Sequence, residues 1–305
     1  MFPKFHPNTK SAFKLVFATL LLAAGVASLL YFAPDNEVAR IAFSTFDGND
    51  FEIFTANPDG SDLVQITDNN HDDWGATWSP DRQQLAFRSA PADAAGIYVM
   101  DADGRNVSLI SASQMHAGNP FYQATMTWSP DGSHIAYAAY FSGNWDIWTS
   151  RLSDGHLTRL TNDNGDDLHP DWSPDGTKIA FNRYYDGFLE IYTMDTDGTN
   201  ITRLTKSDGG MVMYPRWSPD GYEMTFFINE GDSADLYVMS INGSNIRQLT
   251  TDIAIDRVAA YSPDGDSIVF RSERDGDSDI YTMNLASGEI SPVSVNNMID
   301  MAPDW

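Results

Sequence analysis

A four-residue motif recurs along this chain and constrains its fold more than any other feature. Trp-Ser-Pro-Asp or Tyr-Ser-Pro-Asp occurs five times, at Trp78–Asp81, Trp128–Asp131, Trp172–Asp175, Trp217–Asp220 and Tyr261–Asp264. The aromatic residues are 44 to 50 positions apart, and the last residue, Trp305, lies 44 positions after Tyr261. A repeat of about 40–45 residues is typical of the four-stranded blade of a β-propeller.

Each repeat contains the signals for four short strands. After Trp172 the chain reads SPDG, KIAFNR, a loop with Asp-Gly, EIYTMD, a second Asp-Gly and ITRLT. Alternating apolar segments that are separated by Asp-Gly turns predict antiparallel hairpins. The aromatic residue ends the first strand of a unit, and the three segments after SPDG supply the second, third and fourth strands.

The two ends of the repeat region complete each other. The unit that starts at Ile41 lacks a first strand, whereas residues 299–305 form a first strand with nothing after it. An open solenoid would leave unpaired backbone groups at both ends. We therefore predict an all-β fold, a six-bladed β-propeller over residues 35–305, closed by pairing of the C-terminal strand with the N-terminal blade.

Residues 1–34 differ in composition from the propeller. They contain Lys4, Lys10 and Lys14, no acid, and an uncharged apolar stretch over residues 15–33. Nineteen helical residues span about 28 Å, close to the hydrocarbon thickness of a bilayer. We predict one N-terminal transmembrane helix whose basic flank stays in the cytoplasm and whose propeller is in the periplasm or outside the cell. The alternative is a signal peptide cleaved near residues 25–27, which would make the protein secreted.

Charge and cysteine content exclude several function classes. The net charge is −25, which repels phosphate backbones and argues against a nucleic-acid partner, but would attract cations or a basic partner. Many of these acids are aspartates in turns, so solubility alone is an alternative reading. The chain has no cysteine, which excludes disulfides, thiolate metal sites and a cysteine nucleophile.

The repeated pattern, WSPDG followed by IAF, DIY, DG and LT, resembles the TolB-like, WD-repeat-related propeller repeat over residues 41–305. Proteins of the TolB type are periplasmic propellers that bind the peptidoglycan-associated lipoprotein and carry an α/β domain before the propeller. Only six residues separate Pro34 from the first predicted strand here. The resemblance therefore implies a stand-alone member of the wider family and not TolB itself. It is specific for the fold but not for the function.

Function is expected on the face that carries the second-to-third strand loops and the connections between blades, because these segments vary most. We call it the loop face, and the opposite one, with the Ser-Pro-Asp turns, the turn face. Five positions before the aromatic residue stand Asp73, Asp167, Asp256 and Asp300. They predict a partial acidic ring at the channel mouth, which would suit a basic partner or a divalent cation such as calcium. The alternative is that each aspartate caps its own loop.

Two other residue sets are candidates on the loop face. Aromatic anchors suit protein contacts, although they could equally pack between blades; the candidates are Trp74, Tyr122, Trp145, Tyr184 and Tyr185. Three histidines in the connections could ligate a transition metal if they converge, and are otherwise surface residues; they are His71, His116 and His169.

The sequence favours a binding protein over an enzyme, because it contains no GxSxG elbow or other recognisable catalytic constellation. The leading hypothesis is an exported, membrane-tethered scaffold that binds an envelope protein or peptide through the loop face, without a cofactor. The alternatives are a metal-dependent polysaccharide lyase or hydrolase-like propeller enzyme, and a cation-binding sensory propeller.

Overall fold

The computed structural model describes residues 39–92, 94–112, 125–141, 143–207, 209–294, 296 and 298–305. These residues form 24 strands in six antiparallel sheets of four strands each. The all-β, six-bladed prediction is confirmed. The predicted membrane segment, residues 15–33, and the boundary at residue 34 lie outside the described residues. Within the described part, no helix has the length and apolarity needed to cross a membrane.

Blades 1 to 3 contain the first eleven strands and the last one. Blade 1 consists of β24 (Asp300–Asp304), β1 (Ile41–Phe46), β2 (Phe51–Ala56) and β3 (Val64–Gln65). Blade 2 consists of β4 (Asp73–Trp78), β5 (Gln84–Ser89), β6 (Gly96–Asp101) and β7 (Ser108–Ala112). Blade 3 consists of β8 (Met126–Trp128), β9 (His134–Phe141), β10 (Asn144–Arg151) and β11 (Leu157–Arg159).

Blades 4 to 6 follow the same order. Blade 4 consists of β12 (Asp166–Trp172), β13 (Lys178–Tyr185), β14 (Phe188–Asp195) and β15 (Thr202–Arg203). Blade 5 consists of β16 (Met211–Trp217), β17 (Glu223–Asn229), β18 (Ala234–Ser240) and β19 (Arg247–Gln248). Blade 6 consists of β20 (Asp256–Tyr261), β21 (Ser267–Ser272), β22 (Asp279–Asn284) and β23 (Ile290–Pro292).

The ring closes through blade 1, as the split repeat predicts. Strand β24 pairs antiparallel with β1, with Ala42 opposite Asp304 and Thr45 opposite Asp300. The indole Nε1 of Trp305 also donates a hydrogen bond to the carbonyl oxygen of Ala39 at 2.9 Å. The two ends of the repeat region are thus held in one sheet.

The Ser-Pro-Asp turns are built alike. In blade 4 the Ser173 hydroxyl donates to the Asp175 carboxylate at 2.7 Å and accepts the Lys178 amide at 2.9 Å. Gly176 follows with φ +71°, a conformation that favours glycine. In blade 2 the equivalent residue is Arg82, with φ +58°; its guanidinium lies over the Trp78 ring.

A second repeated contact explains the acid before the third strand. In blade 1 the Thr67 hydroxyl donates to Glu52 at 2.5 Å and accepts the Ile53 amide at 2.9 Å. The same acid–threonine pair joins Glu190 to Thr205 in blade 4. The acids are therefore part of the blade architecture. Blade 2 has Gly96 instead, because a Cβ there would lie 2.3 Å from the Ser111 carbonyl oxygen.

The inner strands contain a feature that the sequence did not reveal. Three positions before the aromatic residue, the backbone has a φ of +50° to +66° in five blades, at Gly75, His169, Tyr214, Val258 and Ala302. The pairing register shifts at the same place in each of these strands. A bulge of this kind bends the strand and redirects the side chain at that position. Four of the five residues are not glycine, so the surrounding structure must hold this conformation.

The hydrophobic core consists of the layers between neighbouring blades. Ile53 of blade 1, for example, packs with Leu85 and Phe87 of blade 2 in one buried cluster. Each fully buried Leu, Ile or Phe side chain contributes about 1.5–3 kcal/mol. Blade packing therefore leaves the two ends of the channel and the loops as the surfaces on which function can vary.

Candidate functional site

The four aspartates predicted to form an acidic ring are buried. Asp73 is 1% exposed, and Asp167, Asp256 and Asp300 are 0% exposed. Each begins or nearly begins an inner strand, and each has partners in its own blade or in the connection that leads to it. They therefore lie inside the loop face and not on an open rim. A role for them in binding remains a prediction.

Two of these aspartates pair with arginine. Arg183 Nε and Nη2 donate to the two carboxylate oxygens of Asp167 at 2.7 and 2.8 Å. Burial raises the pKa of Asp167 to about 6, and the hydrogen bonds and positive charge of Arg183 limit the rise. Asp256 accepts longer hydrogen bonds from Arg274, at 3.2 and 3.4 Å, and burial likewise raises its pKa.

The other two aspartates hold their own connecting loops. The side-chain amide of Asn69 donates to Asp73 at 2.7 Å, and that of Asn296 donates to Asp300 at 3.0 Å. In both cases the asparagine stands four residues before the aspartate. Burial raises the pKa of both carboxyl groups. These contacts are of the loop-capping kind that was the alternative interpretation.

The predicted aromatic anchors divide into three groups. Trp74 is 6% exposed, because it lies inside β4; the expectation of an exposed loop aromatic is corrected there. Trp145 is half-buried, with its ring edge against Tyr140. Tyr184 and Tyr185 are 42% and 64% exposed. Tyr122 lies outside the described residues.

Four exposed aromatic residues lie on two hairpins of the loop face, in neighbouring blades. Hairpins β9–β10 and β13–β14 are built from eight-residue strands, the longest in the described part of the chain. Their ends carry Phe141 and Phe188, 54% and 42% exposed, beside the two tyrosines. We call this surface the aromatic platform; it consists of Phe141, Trp145, Tyr184, Tyr185 and Phe188.

Hydrogen bonds connect the two hairpins of the aromatic platform. The Asn144 side-chain amide donates to the carbonyl oxygens of Asp163 and Gly165 at 2.8 and 3.0 Å. Those residues lead into β12, which pairs with β13. Arg183 then reaches back to the Asp163 carboxylate at 2.5 Å. The tip of the blade 3 hairpin is therefore held against the connection that leads into blade 4.

A cavity of about 420 Å³ lies beside the platform, lined by Tyr185, Phe188 and Tyr192 among others. Its lining includes charged residues of both signs: Arg203, which contacts Glu190 at 3.0 Å, Arg183, which contacts Asp163 and Asp167, and also Asp186 and Lys206. A second cavity of about 430 Å³ adjoins it and shares Tyr185 and Tyr192. The platform thus places aromatic rings next to charged residues of both signs.

The histidines of the predicted metal site have separate partners. His71 Nδ1 lies 3.4 Å from both the Asp73 carboxylate and the Ser89 hydroxyl. His169 is 2% exposed, stacks on Tyr214 with 3.7 Å between ring centroids and contacts Asn182 at 3.0 Å. Burial lowers the pKa of His169 to about 3. His116 lies outside the described residues, among which no group of three acids or histidines could hold a metal ion.

Sequence reasoning missed a set of polar residues at the turn face. The residue before the aromatic joins neighbouring blades in two cases: Asp304 accepts the Trp78 amide at 2.9 Å, and Asp171 accepts the Trp217 amide at 2.7 Å. Arg216 contacts Asp171 at 3.3 Å and also Asp304. Burial raises the pKa of Asp171 to about 6 against the charge of Arg216. Aligning the repeats one position earlier would have revealed this set.

A cavity of about 280 Å³ lies over this cluster. Its walls are aromatic residues and prolines of the Ser-Pro-Asp turns, such as Trp78 and Trp217, together with Trp305. The cluster at its base pairs one guanidinium with two carboxylates, so the charges are largely compensated. Arg216 of blade 5 and Asp304 of blade 1 thus form an ion pair across the channel at the turn face.

Comparison with known proteins gives the family. Among curated proteins, an uncharacterised protein of Agrobacterium fabrum is 31% identical over 121 residues, 36% of this chain and 39% of that protein. The Tol-Pal system protein TolB of Francisella tularensis is 32% identical over 74 residues, 24% of this chain and 16% of that protein. These matches thus span well under half of each relative.

Among solved structures, TolB from Acinetobacter baumannii superposes with a TM-score of 0.75 at 21% identity, covering 87% of this chain and 66% of that chain. This likeness concerns the fold. The family model of the TolB beta propeller domain matches residues 114–210 and 206–305, which is more than half of the sequence. The chain therefore belongs to the TolB beta propeller domain family.

Proposed function

We propose that this protein is an exported propeller scaffold that binds a basic segment of an envelope protein on its loop face, with the aromatic platform as the contact surface. The observation that carries the proposal is the presence of four aromatic side chains, each at least 42% exposed, at the ends of two hairpins in neighbouring blades. Exposed aromatic clusters of this kind are typical of protein contact sites.

The charge of the protein supports a basic partner. The net charge is −25, and the exposed carboxylates of Asp163 and Asp186 flank the platform. Lysine and arginine side chains bind to the faces of tyrosine and phenylalanine rings and are attracted by nearby carboxylates. The acidic field of the whole propeller would also accelerate the encounter with such a partner.

The relatives support an envelope location. A Tol-Pal system protein is among the curated relatives, and the match to the TolB propeller family covers most of the chain. We propose that the propeller is periplasmic and that residues 15–33 hold it at the membrane. The partner would then be an envelope protein, as the sequence hypothesis states.

Site-specific photo-crosslinking in cells tests this assignment. A photoreactive residue at position 185, on the platform, is expected to give a discrete product with a basic envelope protein. Tyr222 is the matched control, because it is 72% exposed and follows a Ser-Pro-Asp turn on the opposite face. Equal products at both positions, or a product at position 222 alone, would contradict the proposal.

Binding measurements with the captured partner make the test quantitative. The double variant Tyr185→Ser, Phe188→Ser is expected to weaken binding at least about tenfold, since two aromatic anchors are lost. Tyr222→Ser is expected to leave the affinity unchanged. Added salt should weaken wild-type binding, and a salt-independent affinity would argue against a basic partner.

A further inference from the structure

Arg88, at the end of β5, is a buried cation without a counter-charge. The residue is 1% exposed, and its side chain lies between blades 2 and 3, where Nη2 donates to the carbonyl oxygen of Ala138 at 2.9 Å. Its Nε is buried without a hydrogen-bond partner. Among the described residues no carboxylate forms an ion pair with Arg88. Burial lowers its pKa to about 10, so the group is still charged at neutral pH.

The equivalent arginine of blade 6 has two side-chain partners that Arg88 lacks. Arg271 follows Phe270 in β21, as Arg88 follows Phe87 in β5, and the hairpins after both have the same length. Arg271 donates to Glu273 at 2.8 Å and to Ser278 at 2.5 Å. The repeat has alanines, residues 90 and 95, at the two corresponding positions of blade 2. Blade 2 thus keeps the guanidinium but has lost both of its partners.

Other unpartnered polar atoms lie near Arg88. Trp74 is directly opposite Arg88 in the β4–β5 pair, so both side chains project from the same face of the sheet. The Nε1 of Trp74 is buried without a partner. The positive charge of Arg88 also acts on His169, whose Nε2 is a further buried atom without a partner.

The connection from blade 2 to blade 3 is free of acids. Residues 113–124, which lie outside the described part of the chain, contain no aspartate or glutamate. An isolated buried guanidinium is costly unless a negative group pairs with it. In a protein with a net charge of −25, an interior arginine that has no ion pair among the described residues requires a specific reason.

We propose that Arg88 and Trp74 form an internal binding site for a small free carboxylate anion. A carboxylate accepts two parallel hydrogen bonds from the edge of a guanidinium, and one of its oxygens can also accept the indole N–H. The site is buried, so it suits an anion of a few atoms and not the end of a peptide. The anion would replace the charge that Glu273 supplies in blade 6.

Thermal unfolding of the full-length protein in neutral detergent tests the site, with formate as the probe. At pH 7.5 and constant ionic strength, sodium formate replaces sodium gluconate, whose anion is too bulky to enter. Formate is expected to raise Tm in a saturable way, by about 5 °C at about 100 times its Kd, because it binds only the folded state. A Tm that does not depend on formate would overturn the proposal and leave water as the partner of Arg88.

Two variants separate anion binding from a structural role. Arg88→Met is expected to abolish the formate shift without lowering Tm in gluconate, because it removes an unpaired buried charge. Arg271→Met is the matched control: it should lower Tm in both salts, since Glu273 loses its partner, and keep the formate shift. An Arg88→Met protein that is equally destabilised in both salts, or that keeps the shift, would overturn the assignment.

Discussion

The turn face and the loop face of this propeller differ in how closely their structure repeats from blade to blade. On the turn face, five Ser-Pro-Asp turns share the same internal hydrogen bonds, and Asp171 and Asp304 make the same contact to the next blade. On the loop face, the acid–threonine pair repeats below the surface, but the hairpins above it differ in length and exposure. The comparison teaches that the repeated side-chain contacts lie at the turn face, which leaves the hairpins of the loop face free to diverge.

Removal of the closing strand should have the largest effect. Deletion of residues 300–305 removes β24, the burial of Met301 and the Asp304 contacts to Trp78 and Arg216. A buried methionine is worth about 2–5 kcal/mol, and a broken buried ion pair costs about 3–5 kcal/mol. We expect the free energy of unfolding to fall by more than about 5 kcal/mol in urea titrations. A deletion variant with unchanged stability would show that the ring does not close through blade 1.

Loss of an ion pair should destabilise the protein more on the turn face than on the loop face. Arg216→Met leaves Asp171 and Asp304 together without their cation, and is expected to destabilise the protein by about 3–5 kcal/mol at pH 7.5. The matched change on the loop face is Arg203→Met. The Arg203 side chain pairs with Glu190 and is 40% exposed. Its cost should stay below about 1 kcal/mol. Equal costs in denaturant titrations would break the distinction between the faces.

A buried acid of the loop face should make stability depend on pH. Burial, together with the negative charges of Asp277, Asp300 and Asp275, raises the pKa of Asp279 to about 6 from its usual 3.8. The folded state therefore holds this proton more tightly, and the resulting stability is present below about pH 4 and lost as the pH rises to about 6.

The variant Asp279→Asn should accordingly gain about 1 kcal/mol at pH 7.5, after allowance for solvent screening, and lose its advantage near pH 4. Urea titrations at several pH values measure this difference. Asp232→Asn, at an exposed position of blade 5, is the control and should follow the wild type. An Asp279→Asn curve parallel to the wild type would contradict the raised pKa.

The platform itself should matter least for stability. Tyr185 is 64% exposed, so Tyr185→Ser is expected to change the free energy of unfolding by less than about 0.5 kcal/mol. Thermal and urea unfolding measure the change. A loss above about 2 kcal/mol would mean that this residue packs between blades, as the alternative sequence interpretation held.

The candidate site was predicted only in part. The exposure of Tyr184 and Tyr185 follows from their place at the end of a hairpin, which the Asp-Gly turn signals indicate. The sequence predicts Trp74 in a loop, but it lies in a strand, because β4 already begins at Asp73. The unpaired state of Arg88 could not be predicted, since a single repeat does not show which partners its equivalent has in another blade.

The sequence by itself determined the architecture: the aromatic spacing set the blade count, and the split repeat set the closure at blade 1. These are local or periodic signals, so they survive without coordinates. Only the tertiary structure decided where charge is paired. It buried Asp167 against Arg183, joined Arg216 to Asp304 across the channel and left Arg88 without an ion pair among the described residues. Burial and pairing depend on which blades face one another and not on the order of residues within one repeat.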